Sequence, residues 1–184
     1  MRSKIDVQMM IRKHLANGEI AEKHPTIRSQ CRLLISKAKK NILIASLLLN
    51  ISQDKKAKEF HNLPDDFSAD DWVIIMDYYS MFHAAKGALA KESIKIGEEN
   101  AHEATINAMY HYYVYTGKLE EKIFFMMEDA KQRVIELMES LERAKTSRNE
   151  VNYELQDKPR RATALETLKD AKIFVNKMQE IVES

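Results

Sequence analysis

The chain has 184 residues, 45% of them apolar and 31% charged, with a net charge of +1. That is the make-up of one folded soluble domain and excludes a charged disordered tail. Four Gly and three Pro are too few for sheets joined by tight turns, and a single cysteine, Cys31, excludes a disulfide framework or a multi-thiolate metal site. The near-zero total hides an asymmetry. Residues 1–61 hold 13 Lys and Arg against 5 Asp and Glu, and the rest holds 16 against 23. The basic end can meet phosphate, or it can meet an acidic face of its own fold or of a partner subunit.

The opening run MRSKIDVQMMIRKHL has no apolar stretch of export length. No apolar run approaches the roughly 18 residues that cross a bilayer, because Asn50, Asp77, His83 and Lys86 interrupt the candidates. A cytoplasmic protein without membrane attachment is expected.

Gly18, Pro25, Pro64, Gly97, Gly117 and Pro159 divide the chain into helical lengths. From Thr26 to Asn50, Ile27, Cys31, Leu34, Ile35, Ala38, Ile42, Ala45 and Leu49 recur at three- and four-residue steps, one stripe of one helix. Arg28, Arg32 and Lys39 border it. After the loop HNLPDDFSADD, Ser68 is the expected N-cap of a helix over about 69–92, with Asp70 and Asp71 in its first turn. This helix is apolar nearly all round, Trp72 and Tyr79 included, so it belongs in the middle of the bundle. Its small residues Ala84, Ala85, Gly87, Ala88 and Ala90 allow close approach of a neighbour.

A shorter helix is expected from about His102 to Tyr115. A longer one starts at Leu119, with Ile123, Met127, Ala130, Val134, Leu137, Leu141 and Ala144 as its seam. The last helix follows Pro159, with Leu165, Leu168, Ala171, Val175, Met178 and Val182 facing inward. The fold expected is all-α, an antiparallel helical bundle of five or six helices. Residues 1–66 form basic N-terminal helices that pack on or extend it, and residues 67–184 form its core, as one domain overall.

Metal sites find no support. His102 and Glu103 open a zinc-hydrolase pattern, but position 106 is Ile106, and Glu99 with His102 is the sole Glu-x-x-His pair. No glycine-rich loop offers a nucleotide cradle, and no cofactor is expected. Tyr110, Tyr112, Tyr113 and Tyr115 offer either stacking faces or core packing. The segment from Ser147 to Glu154 gathers Arg, Asn, Glu and Tyr where apolar residues were due. Around it, Arg143, Lys145, Arg148, Lys158, Arg160 and Arg161 outnumber Glu150, Glu154 and Asp157. Arg148 suits two-pronged phosphate binding, with Arg143, Lys145, Arg160 and Arg161 as further phosphate or RNA ligands; alternatively Arg148 pairs with Glu150 or Glu154 to finish its helix.

The run from Asp77 to Leu89, then His102, then Tyr115-Thr116-Gly117-Lys118-Leu119, then Arg148 to Tyr153, with Ala171 and Phe174 in the last helix, resembles the HEPN superfamily over roughly residues 70–182. The resemblance implies a helical bundle that dimerises through its Arg motifs. It also implies pairing with a minimal nucleotidyltransferase as toxin and antitoxin, and a metal-independent endoribonuclease mechanism on RNA. Arg148 and Asn149 match the first two motif positions. Tyr153 stands where the catalytic histidine is due, and no histidine follows His111. A phenol of pKa near 10 is a poor general base at neutral pH, so Arg148, Asn149 and Tyr153 are expected to bind RNA or nucleotide rather than cleave. The alternative is a noncatalytic homodimeric interaction module.

Overall fold

The computed structural model describes residues 4–147 and 160–184. Their α-helices are α1 (Lys4–Ala16), α2 (Cys31–Gln53), α3 (Lys55–Phe60), α4 (Asp70–Lys91), α5 (Ala101–Met109), α6 (Glu121–Ser147) and α7 (Arg161–Glu183). A 3-10 turn, Ile27–Gln30, leads into α2, and a π-turn, Tyr110–Val114, extends α5. The fold is the expected all-α bundle, with one helix more than the upper count expected. Its sheet is minimal: β1 (Ile20–Ala21) pairs antiparallel with β2 (Lys95–Ile96), Ile20 opposite Ile96. No described helix is long and apolar enough to cross a membrane.

Cross-links at the helix ends fix the directions. The Arg161 guanidinium lies 2.8 Å from Asp70 at the start of both helices, and Lys91 Nζ donates to the Ile181 carbonyl at 2.8 Å near their ends, so α4 and α7 run parallel. α2 runs opposite to α4: the Ala69 N–H donates to Ser52 Oγ at one end, while at the other Gly87 faces the Cys31 carbonyl. A Cβ on Gly87 would lie 3.2 Å from that oxygen and 3.3 Å from Ile35 Cδ1. The small-residue half of α4 therefore does admit a close neighbour. α6 runs back along α7, with Arg133 bonded to Thr167 and Glu166, and Arg160 to Ser140.

α4 is the central helix, packed by α2, α6 and α7 and, over its second half, by α5. Two apolar clusters meet along it. One gathers Ala45, Leu49, Val73, Ile74, Ala164 and Leu168; the larger includes Ala38, Tyr78, Met81, Met109, Phe124, Ala171 and Phe174. Asp77 lies between them on α4, 0% exposed, with neither carboxylate oxygen hydrogen bonded. Burial pushes its pKa up to about 8 against the opposing pull of Lys172.

Two local expectations change, and two alternatives left open by the sequence are decided. Ser68 sits just outside the helix start: its Oγ accepts from the Asp70 N–H at 3.3 Å, Ala69 occupies the cap position, and α4 begins at Asp70. Trp72 is 63% exposed and Tyr79 40%, so α4 is buried on all sides but one. The tyrosine run is packing: Tyr113 is fully buried and donates to the Ala88 carbonyl at 2.6 Å, and Tyr110 donates to Glu121. The N-terminal residues dock rather than extend, with Val7 and Ile11 buried in the larger cluster.

Candidate nucleic-acid interface

The phosphate ligands read from the sequence fall into three groups. Arg148, Asn149 and Tyr153 lie outside the described residues, and Arg143 and Lys145 are on the last turns of α6, where only the helical backbone is described. Arg160 and Arg161, at the start of α7, are both engaged. Arg160 lies 2.5 Å from Asp71 and 3.1 Å from Ser140 Oγ, and Arg161 faces Asp70 and the Ser52 carbonyl. Guanidiniums at a helix N-terminus oppose the dipole. Asp70 and Asp71 offset this, because the parallel arrangement sets the first turn of α4 beside the first turn of α7.

A different set of side chains converges on the open side of α4. Trp72, Met76, Tyr79, His83 and Lys86 follow steps of four and three, which places them in one line along the helix. Each is exposed or half-buried, whereas their neighbours Val73, Ile74, Asp77, Tyr78, Ser80 and Met81 are buried. The line spans about 21 Å, at 1.5 Å per residue. Its upper end is cationic. Lys86 Nζ sits 5.4 Å from the centre of the Phe82 ring, and His83 feels Lys37 of α2, Lys86 and His102 of α5.

His102 is held by aromatic rings on two sides. It stacks on Phe82 with centroids 4.4 Å apart and on Tyr78 at 5.5 Å, and Tyr79 meets it edge-on at 5.7 Å. Tyr78 Oη lies 2.6 Å from His102 Nδ1. Burial, then Lys131 and Lys86, hold the His102 pKa below its ordinary value. Burial, then Lys37, Lys86 and His102, do the same for His83, whose Nδ1 is buried without a partner. Lys86 is itself lowered by burial, with Glu98 pulling the other way. Lys86 and the nearby lysines disfavour a positive charge on either imidazole, so an anion here would relieve the repulsion among the groups that carry charge.

No protein-family model matches this chain, and no curated protein or solved structure matches it.

Sequence reasoning treated His83 and Lys86 as interruptions in an apolar helix and Trp72 and Tyr79 as core. The signal was present in the spacing 72, 76, 79, 83, 86, which sets the polar pair on the same line as Trp72 and Tyr79. Which line of α4 stays open depends on where α2, α5 and α6 pack. The arrangement can grip an anionic ligand that also carries flat rings: ammonium and imidazole groups for phosphate, Trp72 and Tyr79 for stacking. Among the described residues no three His, Cys, Asp or Glu side chains converge as a metal site requires.

Proposed function

We propose that this chain is an HEPN-like helical protein that binds single-stranded RNA or nucleotide along the open face of α4. The observation that carries this reading is the gathering of Lys37, His83, Lys86 and His102 at one end of a line whose other end exposes Trp72. Bases would stack on Trp72 and Tyr79, and phosphates would face Lys86, Lys37 and His83. Stacking tolerates any base, so the expected preference is for single strands over duplex rather than for a sequence. The Arg148 motif would supply a second phosphate contact, with Asn149 and Tyr153 orienting it, where two subunits meet. With tyrosine in the histidine position, binding is the stronger expectation and cleavage the weaker. Arg160 and Arg161 would join only by exchanging Asp71 and Asp70 for phosphate. A minimal nucleotidyltransferase as toxin–antitoxin partner belongs to the same reading.

Fluorescence anisotropy with a labelled single-stranded oligoribonucleotide tests it, with the probe recovered afterwards to score cleavage. Trp72→Ala and Tyr79→Ala should each weaken binding about five- to hundredfold, the equivalent of roughly 1–3 kcal/mol per lost stack. Lys86→Ala should weaken it and flatten its salt dependence. Wild-type protein that does not retain RNA at low salt, or three variants that all bind as wild type, would refute the reading.

A further inference from the structure

Two helix faces on opposite flanks of the bundle are built as complements. The outward face of α2 exposes Leu33, Leu43, Ile44 and Leu47, with Leu43 70% exposed. Beside them stand Arg32, Lys39 and Lys40, all exposed, and no Asp or Glu occurs between Lys23 and Gln53. This face carries cations and no anion, with Ser36 and Asn50 as its exposed neutral polar residues. The outward face of α6 exposes Phe125, Ile135 and Met138 among Asp129, Glu136, Glu139 and Glu142. Its two central cations are committed within the chain, Lys131 to Glu103 and Arg133 to Glu166, and of its acids Glu136 accepts from Gln132 while Glu139 and Glu142 also have partners. A groove on this face is lined by Ile106, Phe125 and Ile135 together with Glu128, Asp129, Lys131 and Gln132.

Among the described residues α2 and α6 pack on α4 and α7 rather than on each other. The two faces therefore do not meet within one molecule. We propose that they do so between molecules, the α2 face of one copy seating its leucines against the α6 face of the next. Apolar contact at the centre, framed by lysine and arginine against aspartate and glutamate, is the anatomy of a specific protein interface. Because the two patches differ, the contact is head-to-tail and generates a ring or an open chain of subunits rather than a closed twofold dimer. It does not involve the Arg148 motif, and it shares with the RNA reading only Lys37, which lies four residues after Leu33 and seven before Ile44 on the exposed side of α2.

Sedimentation velocity of the full chain tests this, at low and high salt and over a wide concentration range. Wild type should grow in mass with concentration and dissociate as salt screens the charges. Leu43→Asp and Ile135→Asp, both at exposed positions, should each weaken association by roughly tenfold or more without lowering the melting temperature. Mixed together they should form a one-to-one complex and nothing larger, because one retains an intact α6 face and the other an intact α2 face. Repeating the series in an Arg148→Ala background separates this contact from any dimer made by the Arg motif. A wild type that stays monomeric overturns the proposal. So does loss of assembly in Leu43→Asp but not in Ile135→Asp, which would indicate a symmetric α2 contact. Monomers that instead bind phosphatidylglycerol vesicles through α2 would overturn it in favour of a lipid surface.

Discussion

The side-chain amide of Asn107 in α5 donates to Nε2 of His14 in α1 at 3.0 Å, across a separation of 93 residues in sequence. With Nε2 accepting, the imidazole proton lies on Nδ1 and points to Glu19, whose other oxygen takes a 2.6 Å hydrogen bond from Asn100. Glu103 extends the chain of contacts to Lys131 of α6. This polar thread, with His14, Glu19 and Asn107 all buried, explains how a helix as weakly amphipathic as α1 docks. Removing one member strands the rest in a place water does not reach. Asn107→Leu is expected to cost about 1–3 kcal/mol and to expose the α1 segment to protease before the rest of the chain, as followed by limited proteolysis and mass spectrometry.

Asp77 gives stability a slope with pH. Its folded pKa is raised to about 8, against 3.8 for the free side chain, so between those values the native state holds a proton that the unfolded chain has released. The stabilisation is complete below about pH 4 and is lost as pH rises through about 8. Asp77→Asn should remove that slope, so its stability relative to wild type should rise as pH goes from about 4 to about 8. Urea unfolding of both proteins from pH 5 to pH 9 measures it.

His83, His102 and His111 act in the opposite sense. Burial is the leading cause that lowers each, so their contribution is complete above about pH 6.5 and is lost as pH falls through the lowered values. In Asp77→Asn this acid-side loss should remain in the same unfolding series.

RNA affinity should respond to the same titration. Near pH 7 His83 is neutral and the phosphate contacts fall to Lys86 and Lys37. As pH drops below 6.5 and His83 protonates, affinity should rise and the log–log salt slope should steepen by about 0.7, the value of one added contact on a single strand. His83→Gln should abolish both changes while leaving the pH 7 affinity within a fewfold. Anisotropy titrations at several salt concentrations provide the measurement.

Gly87 sets the distance between α4 and the start of α2. A valine there would drive its Cβ and branches into the Cys31 carbonyl and Ile35, and Gly87→Val is expected to cost about 1–3 kcal/mol through overpacking. Thermal melting by circular dichroism reports the loss.

The helices themselves were readable from the chain, because three- and four-residue apolar spacing and the near absence of Gly and Pro leave no other regular structure with a buried face. Ile35, Ala38, Ala45 and Leu49 fall on the interior stripe as their periodicity requires, and Ala171, Val175 and Met178 do the same in α7. Periodicity fixes which residues share a line on a helix but not which lines are covered. That is why Trp72 read as core and is exposed, and why Tyr79, His83 and Lys86 emerged as a surface only once α2, α5 and α6 were in place. The pairing of Arg160 and Arg161 with Asp71 and Asp70 was hidden for a related reason: it joins the starts of two helices some 90 residues apart, and only their parallel packing brings those charges within reach. Short-range spacing is a property of the backbone, while burial and charge pairing arise from contacts between distant segments, which the tertiary structure alone decides.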